Sequence, residues 1–175
     1  MGKGYTILIY GLTGHTYGFG KYISDRLIAD GHSVIGISRS TGFDLTDTSN
    51  SMNAVQYLSE CDVIINNCSA GHLQSFFLLQ LYSEYKMSNK IIINVGSWIT
   101  RVSDHLIHAE DMDHYEDKVT LQVISNDINK KNKAIKSVYL TWGFHLGNPI
   151  LDRYPQLQDT TTVQQAVDQL ISRQQ

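Results

Sequence analysis

The residues best suited to bind a phosphate form a glycine-rich run near the start of the chain. Thr13-Gly14-His15-Thr16-Tyr17-Gly18-Phe19-Gly20 follows an apolar stretch and precedes a helical pattern. Glycines let the backbone turn tightly and let a pyrophosphate come close. A helix start adds unpaired N–H groups and the positive end of its dipole. These flanks favour a nucleotide site over a simple strand-to-helix turn. The predicted phosphate-binding residues are Gly11, Thr13, Gly14, Tyr17, Gly18, Phe19 and Gly20.

A second polar group follows the next β-rich segment and suits a ribose phosphate. Ser38, Arg39 and Ser40 place two hydroxyls and a guanidinium where NAD-binding folds usually carry a carboxylate. Arginine offers a fixed fork of donors that matches a 2′-phosphate, whereas a solvated surface arginine would give the same sequence. The pattern favours NADP(H) over NAD(H) as the cofactor.

Two further pairs of residues complete the predicted cofactor site. Asp44 could accept a hydrogen bond from an adenine amino group while Leu45 packs near the ring, or Asp44 could cap a helix. Asn66 and Asn67 end a third strand and begin a stretch of small and amide residues that lets backbone approach a cofactor. Ligands of parallel sheets bind beyond the carboxyl ends of the strands, so these residues are predicted to face one crevice.

Alternating strands and helices would hold these groups at one edge of a sheet. The patterns predict strands over 5–10, 33–38, 61–66, 90–95 and 134–141. They predict helices over 19–30, 49–58, 73–85, 114–131 and 163–171. Strands separated by helices imply parallel pairing with helices on both faces. The predicted fold class is therefore α/β, a doubly wound parallel sheet in three α/β/α layers.

Length and composition exclude several classes of protein. A chain of 175 residues suits one compact domain, and we predict a single dinucleotide-binding domain over 1–175. A net charge of -3 without a basic stripe argues against a nucleic-acid partner. No apolar run approaches the ~20 residues of a membrane span. The two cysteines and seven histidines show no metal-ligand spacing. We expect a cytoplasmic protein without nucleic-acid, membrane or metal partners.

In this order the motifs resemble those of the short-chain dehydrogenase/reductase superfamily over nearly the whole chain. The glycine run matches the family's Thr-Gly-x-x-x-Gly-x-Gly motif, and Asp44-Leu45 matches its adenine-contacting pair. Asn66-Asn67 matches the start of the family's Asn-Asn-Ala-Gly motif, with Cys68-Ser69 inserted before the last two residues. The resemblance implies a Rossmann-type sheet, a nicotinamide cofactor and oxidoreductase activity.

The catalytic part of the chain departs from the family pattern. Residues 93–97 resemble the strand that ends at the family's catalytic serine, which makes Ser97 the candidate. The family's Tyr-x-x-x-Lys helix uses tyrosine to move the proton, and lysine to bind the nicotinamide ribose and lower the tyrosine pKa. Lys118 matches the lysine, but His114 stands at the tyrosine position and Tyr115 comes one residue later.

Three interpretations of this helix are open. His114 could replace tyrosine as the acid, since imidazole titrates near neutral pH. Tyr115 could serve if the helix begins irregularly, because i, i+3 neighbours also meet. Alternatively, catalysis is lost and Lys118 only binds ribose. The family's helix asparagine, which supports a proton relay, has no clear counterpart, although His72 and Gln74 are near.

The resemblance implies an NADP(H)-dependent oxidoreductase that acts on a small carbonyl or alcohol substrate. The displaced tyrosine motivates an alternative, a catalytically impaired dinucleotide-binding protein that serves as a redox sensor or partner-binding module. Segments 73–85 and 114–131 resemble the family's dimer-forming helix pair. They imply a homodimer or homotetramer.

Overall fold

Five strands and four α-helices alternate in the computed structural model, which describes residues 7–16, 18–68, 71–141, 149–157 and 165. The strands are β1 (Ile9–Thr13), β2 (Ser33–Ile37), β3 (Val63–Asn66), β4 (Ile91–Val95) and β5 (Lys136–Leu140). The helices are α1 (Gly18–Ala29), α2 (Thr48–Tyr57), α3 (Leu73–Tyr85) and α4 (Met112–Lys131). Short 3-10 turns follow β2 and β4, at Arg39–Thr41 and Trp98–Arg101.

All strand pairs are parallel, and their order in the sheet is β2-β1-β3-β4-β5. Helix α1 covers one face, and α2, α3 and α4 cover the other. The buried side chains on the α1 face include Tyr10, Leu12, Ile23 and Leu27. Those on the opposite face include Leu58, Phe77, Leu78, Leu121 and Ile128. The predicted α/β doubly wound sheet is confirmed, and its strand order reverses between β1 and β3, where such sheets bind ligands.

The first strand differs from the prediction, which ended it at residue 10. Strand β1 continues through Gly11 to Thr13, and Thr13 pairs with Ile37 of β2. A Cβ on Gly11 would lie 2.5 Å from Cδ2 of Leu58. Gly11 is therefore strand backbone that makes room for the packed side chain of Leu58, and the turn begins only at Gly14. The start of the predicted strand, residues 5 and 6, lies outside the described residues, as does the predicted helix 163–171 except for residue 165.

A third, smaller apolar cluster lies beyond the carboxyl end of β4. It consists of Ile99, Val102, Ile107, Ile150 and Tyr154. The cluster joins the segment after β4 to residues 149–157. Among the described residues, no helix combines the length and apolar character needed to cross a membrane.

Candidate functional site

The loop between β1 and α1 is a tight glycine turn. Gly14 and Gly18 have φ angles of 67° and 58°, in the left-handed region that favours glycine. A Cβ on Gly20 would lie 2.0 Å from the carbonyl oxygen of Gly14, so the first turn of α1 can cross the loop only with glycine there. A Cβ on Gly18 would meet nothing within 4 Å. The start of α1 therefore borders open space, and helix N-termini in such positions can bind a phosphate through their backbone N–H groups.

Thr13 ties the carboxyl ends of β1 and β3 together. Its buried Oγ1 accepts hydrogen bonds of 2.8 Å from the backbone N–H groups of Asn67 and Cys68. The side-chain amide of Asn67 lies against the glycine loop, 2.8 Å from where a Cβ on Gly20 would stand. The crevice at the point of strand reversal is thus bordered by the predicted Thr13, Gly14, Gly20 and Asn67.

A cavity of about 430 Å³ opens beside this loop. Its lining brings together six residues that the sequence predicted to bind the cofactor, although they come from three separate segments. They are Gly14, Ser38, Arg39, Ser40, Asp44 and Leu45. Thr16, Ile37, Phe43, Thr46 and Cys68 complete the lining. The predicted Tyr17 lies outside the described residues, and Phe19 packs against the core on the α1 face.

The cavity has two kinds of polar group: donors around Arg39 that could bind an anion, and the Asp44 carboxylate that could accept a hydrogen bond from a ligand. The Oγ atoms of Ser38 and Ser40 are 2.7 Å apart, next to the exposed Arg39. Asp44 accepts from the backbone N–H and the hydroxyl of Thr46, at 3.0 and 2.7 Å, and these bonds hold its carboxyl pKa below the usual value. The cap of α2 is Asp47, which accepts from Asn50. Asp44 is therefore a cavity carboxylate, and its alternative interpretation as a helix cap is wrong.

Ser97 follows β4 at the same edge of the sheet. Its side chain is almost buried, with 4 % exposure, and its Oγ accepts a hydrogen bond from the Ile99 N–H at 3.2 Å. Its own N–H donates to the Tyr139 hydroxyl at 3.3 Å. A Cβ on Gly96 would collide with the Tyr139 ring, which fixes the turn in front of Ser97. A hydroxyl that accepts one bond still has its own proton to donate, so Ser97 can bind a carbonyl oxygen.

Lys118 and His114 lie one turn apart on α4. Lys118 is 8 % exposed, and its Nζ donates to the Gln74 Oε1 at 2.5 Å and to the Val95 carbonyl at 3.3 Å. Burial lowers the pKa of Lys118. Burial, together with the positive charge of Lys118, lowers the pKa of His114. The i, i+4 spacing therefore brings His114 close to the ammonium group.

Tyr115 faces a different part of the molecule. Its side chain packs against the small apolar cluster that contains Ile99 and Tyr154. No hydrogen bond joins it to Ser97 or Lys118 in the described part of the chain. Of the two candidate acids, the structure brings His114 and not Tyr115 to Lys118.

Gln74 is the residue whose role the sequence did not reveal. It is 2 % exposed, and its amide donates to the carbonyls of Asn66 and Val95 at 2.7 and 3.0 Å while its oxygen accepts from Lys118. One available signal was its position on α3 relative to Leu78 and Leu81, because a glutamine at i−4 and i−7 from buried leucines must face inward.

The predicted Asn66 faces the interior of the sheet and not the crevice. It is fully buried, and its side-chain amide donates to the Gln74 carbonyl at 3.0 Å and to the Asn94 Oδ1 at 3.1 Å. Asn94 in turn donates to the Ser137 hydroxyl at 3.0 Å. The side-chain amides of Asn66, Gln74 and Asn94 all have partners, so they form a rigid support for Lys118.

Comparisons with known proteins identify the fold. No family model and no curated protein matches the chain. Among solved structures, a short-chain dehydrogenase from Streptomyces avermitilis superposes with a TM-score of 0.71 at 16% identity, covering 94% of this chain and 83% of that one. A short-chain dehydrogenase from Burkholderia cenocepacia in complex with NADP gives 0.70 at 15% identity, over 92% and 81%. A blue fluorescent protein from a metagenomic library in complex with NADPH gives 0.69 at 17% identity, over 94% and 89%.

These similar structures confirm the resemblance drawn from the motifs. Their common architecture covers nearly the whole chain, and it agrees with the five-stranded parallel sheet flanked by helices. The chain has the fold of the short-chain dehydrogenases/reductases.

Proposed function

We propose that the chain is an NADP(H)-dependent oxidoreductase of a small carbonyl or alcohol substrate, built as a single domain over 1–175. The observation that carries the proposal is the cavity that joins Gly14 of the phosphate loop to Arg39 and Asp44. Two of the similar structures are complexes with NADP or NADPH, which supports the same class of cofactor here.

The residues of the cavity fit a dinucleotide phosphate. The N–H groups at the start of α1, next to the open space at Gly18, would hold the pyrophosphate. Arg39, with the hydroxyls of Ser38 and Ser40, would hold a ribose 2′-phosphate. Asp44, kept ionised by its bonds to Thr46, would accept from the adenine amino group. Leu45 would pack against the adenine ring.

The proposed chemistry is a hydride transfer that the bound nicotinamide supplies, coupled to a proton transfer from the protein. Ser97 would donate a hydrogen bond to the carbonyl oxygen. His114 would give its proton to that oxygen, become neutral and take a new proton from solvent. Lys118 would bind the nicotinamide ribose and keep the pKa of His114 low. Oxidation of an alcohol runs the same steps in reverse.

Binding and turnover measured together test this function. We expect NADPH to bind in a one-to-one complex and to be oxidised in the presence of at least one member of a panel of small aldehydes and ketones. Ser97→Ala should remove turnover while leaving NADPH binding intact. Turnover that survives Ser97→Ala, or an absence of NADPH binding, would contradict the proposal.

One observation favours the alternative of a dinucleotide-binding protein without turnover. Tyr115, the only tyrosine near the family's position, packs into the apolar cluster instead of lying beside Lys118. This alternative predicts tight NADPH binding, no turnover with any carbonyl compound, and a partner protein whose affinity changes with the ratio of NADP to NADPH. Turnover abolished by Ser97→Ala would exclude it.

We also propose self-association through α3 and α4. These helices pack against each other, and three of their large apolar side chains, Phe76, Leu79 and Val123, are exposed. Exposed apolar side chains on adjacent helices are typical of an interface between subunits. A homodimer or homotetramer should therefore appear in sedimentation equilibrium, and Leu79→Glu should reduce its mass to that of a monomer.

A further inference from the structure

The turn Trp98–Arg101 connects Ser97 to the small apolar cluster. It is a 3-10 helix, in which side chains three residues apart eclipse each other. Ile99 and Val102 point together into the cluster, where both are buried. The remaining pair, Trp98 and Arg101, therefore shares a separate face of the turn.

On that face the guanidinium of Arg101 stacks over the ring of Trp98, with its central carbon 5.2 Å from the ring centroid. Trp98 is half-buried and packs against the apolar cluster, whereas Arg101 is exposed. Stacking on an anchored ring restricts a long side chain while its N–H groups stay available. The turn also contacts α4, the helix that carries His114.

The partners of the arginines divide them into two groups. Within the described ranges there are four arginines, and Arg26 and Arg153 form ion pairs with carboxylates. Arg39 lines the cavity proposed for the 2′-phosphate. Arg101 has no carboxylate of the described residues within ion-pair distance. Its guanidinium instead stacks on the Trp98 ring. Arg39 and Arg101, which have no carboxylate of the described residues in ion-pair range, follow the carboxyl ends of β2 and β4.

We propose that Arg101, held on the ring of Trp98, binds a carboxylate of the substrate, so that the compound reduced is a small oxo acid. This inference rests on the proposed reductase function. A guanidinium offers parallel N–H donors that match the two oxygens of a carboxylate. Ser97 fixes the carbonyl oxygen at one end of the turn, and Arg101 fixes the carboxylate at the other. Two anchors on one short, packed turn orient the substrate as well as bind it.

A matched set of substrates and variants tests the inference. Small α-oxo and β-oxo acids are compared with their methyl esters and with phosphorylated ketones, in wild type, Arg101→Gln and Arg101→Lys. We expect wild type to prefer the acids to the esters in kcat/KM. Arg101→Gln should lose about ten- to a hundredfold in kcat/KM for the acids, the size of one charge-assisted anchor, with little change for the esters. Arg101→Lys should recover only part of this loss, because an ammonium cannot bind in a bidentate manner.

The control is Lys130→Gln, which removes the same charge from an exposed site at the far end of α4. Equal kcat/KM for acids and esters, or an equal loss in Arg101→Gln and Lys130→Gln, would overturn the inference and leave the reductase function standing. A preference for phosphorylated ketones that depends on Arg101 would replace the carboxylate with a phosphate and overturn the oxo-acid assignment.

A binding measurement separates this inference from the reductase function. Calorimetric titration of an oxo acid into the NADPH complex should show binding that Arg101→Gln weakens by at least tenfold. If this binding is present without any turnover, the reductase function fails and the carboxylate subsite stands. If Arg101→Gln leaves the binding unchanged, the subsite fails.

Discussion

The ammonium of Lys118 lies 2.5 Å from the side-chain oxygen of Gln74, and both groups are buried. The same glutamine donates to the carbonyls of Asn66 and Val95, so its amide cannot turn without breaking bonds on both sides. A lysine held in this way keeps one position relative to β4. Gln74 is therefore a positioning residue for whatever Lys118 binds.

Gln74→Leu should destabilise the protein and impair the site together. The variant leaves a buried ammonium with one partner fewer, which costs about 1–3 kcal/mol of the free energy of unfolding. The free energy of unfolding from chemical denaturation should fall, and the NADPH Kd should rise. Gln74→Glu, in contrast, should restore a partner for Lys118 and raise the pKa of Lys118. Gln80→Leu is the matched control, because Gln80 lies on the same helix and bonds to Ser51, away from the site. Equal effects of the two leucine variants on the NADPH Kd would contradict the role of Gln74.

Gly20 of the phosphate loop and Gly31, which follows the other end of α1, should respond differently to replacement by alanine. Gly20→Ala places a Cβ 2.0 Å from the Gly14 carbonyl, so the loop must shift and NADPH binding should fall by at least tenfold. Gly31→Ala also strains the backbone, since its φ is 84°, but it lies at the other end of α1. We expect it to cost about 1 kcal/mol of stability without changing the NADPH Kd. Calorimetry and thermal denaturation of both variants distinguish loop geometry from general strain.

Arg39 should determine the preference between the two dinucleotides. Arg39→Gln removes the proposed charge-assisted bond to the 2′-phosphate, which would be worth about 1.5–3 kcal/mol, or about ten- to a hundredfold in Kd. The Kd of NADPH should rise by this factor while the Kd of NADH stays nearly constant. Fluorescence titration with both dinucleotides measures the change, and a parallel loss for NADH would show that Arg39 acts on general stability instead.

The pH dependence of reduction should identify the proton donor. With His114 as the proposed proton donor, carbonyl reduction needs a protonated imidazole, and burial together with the Lys118 charge lowers the His114 pKa from its usual 6.5. The value of kcat/KM for reduction should therefore be greatest at acid pH and fall about tenfold per pH unit above that pKa, while alcohol oxidation rises over the same interval.

Two variants make this profile decisive. His114→Gln should abolish turnover, whereas Tyr115→Phe should leave the profile unchanged because Tyr115 packs against the apolar cluster. Reduction that is flat to pH 8 in wild type and is lost in Tyr115→Phe would assign the proton to the tyrosine.

Local patterns predicted which residues meet around the cavity. The positive φ of Gly14 and Gly18 needs glycine, so that part of the loop is visible in the sequence itself. Arg39 and Asp44 follow β2 closely, and parallel strands bring such residues to one edge regardless of how the core packs. The error at Gly11 arose because a glycine can serve packing as well as turning, and only the position of Leu58 distinguishes the two.

The part of the candidate site around Lys118 depends on contacts between segments that are distant in sequence. Gln74 and Lys118 are 44 residues apart in sequence, and neither is recognisable as a partner of the other without the packing of α3 on α4. Asn66 was assigned to the crevice by its place in a motif, but the Asn94 side chain draws it into the sheet. The choice between His114 and Tyr115 depended on where α4 begins, and boundaries are the least certain part of a sequence-based prediction.

Equilibrium titration of the purified protein with NADPH and with NADH tests the central claim most directly, because it requires no knowledge of the substrate. The account predicts saturable binding of one NADPH per chain, with NADH bound at least tenfold more weakly and the difference removed by Arg39→Gln. Absence of saturable binding for both dinucleotides, with the protein folded, would contradict it.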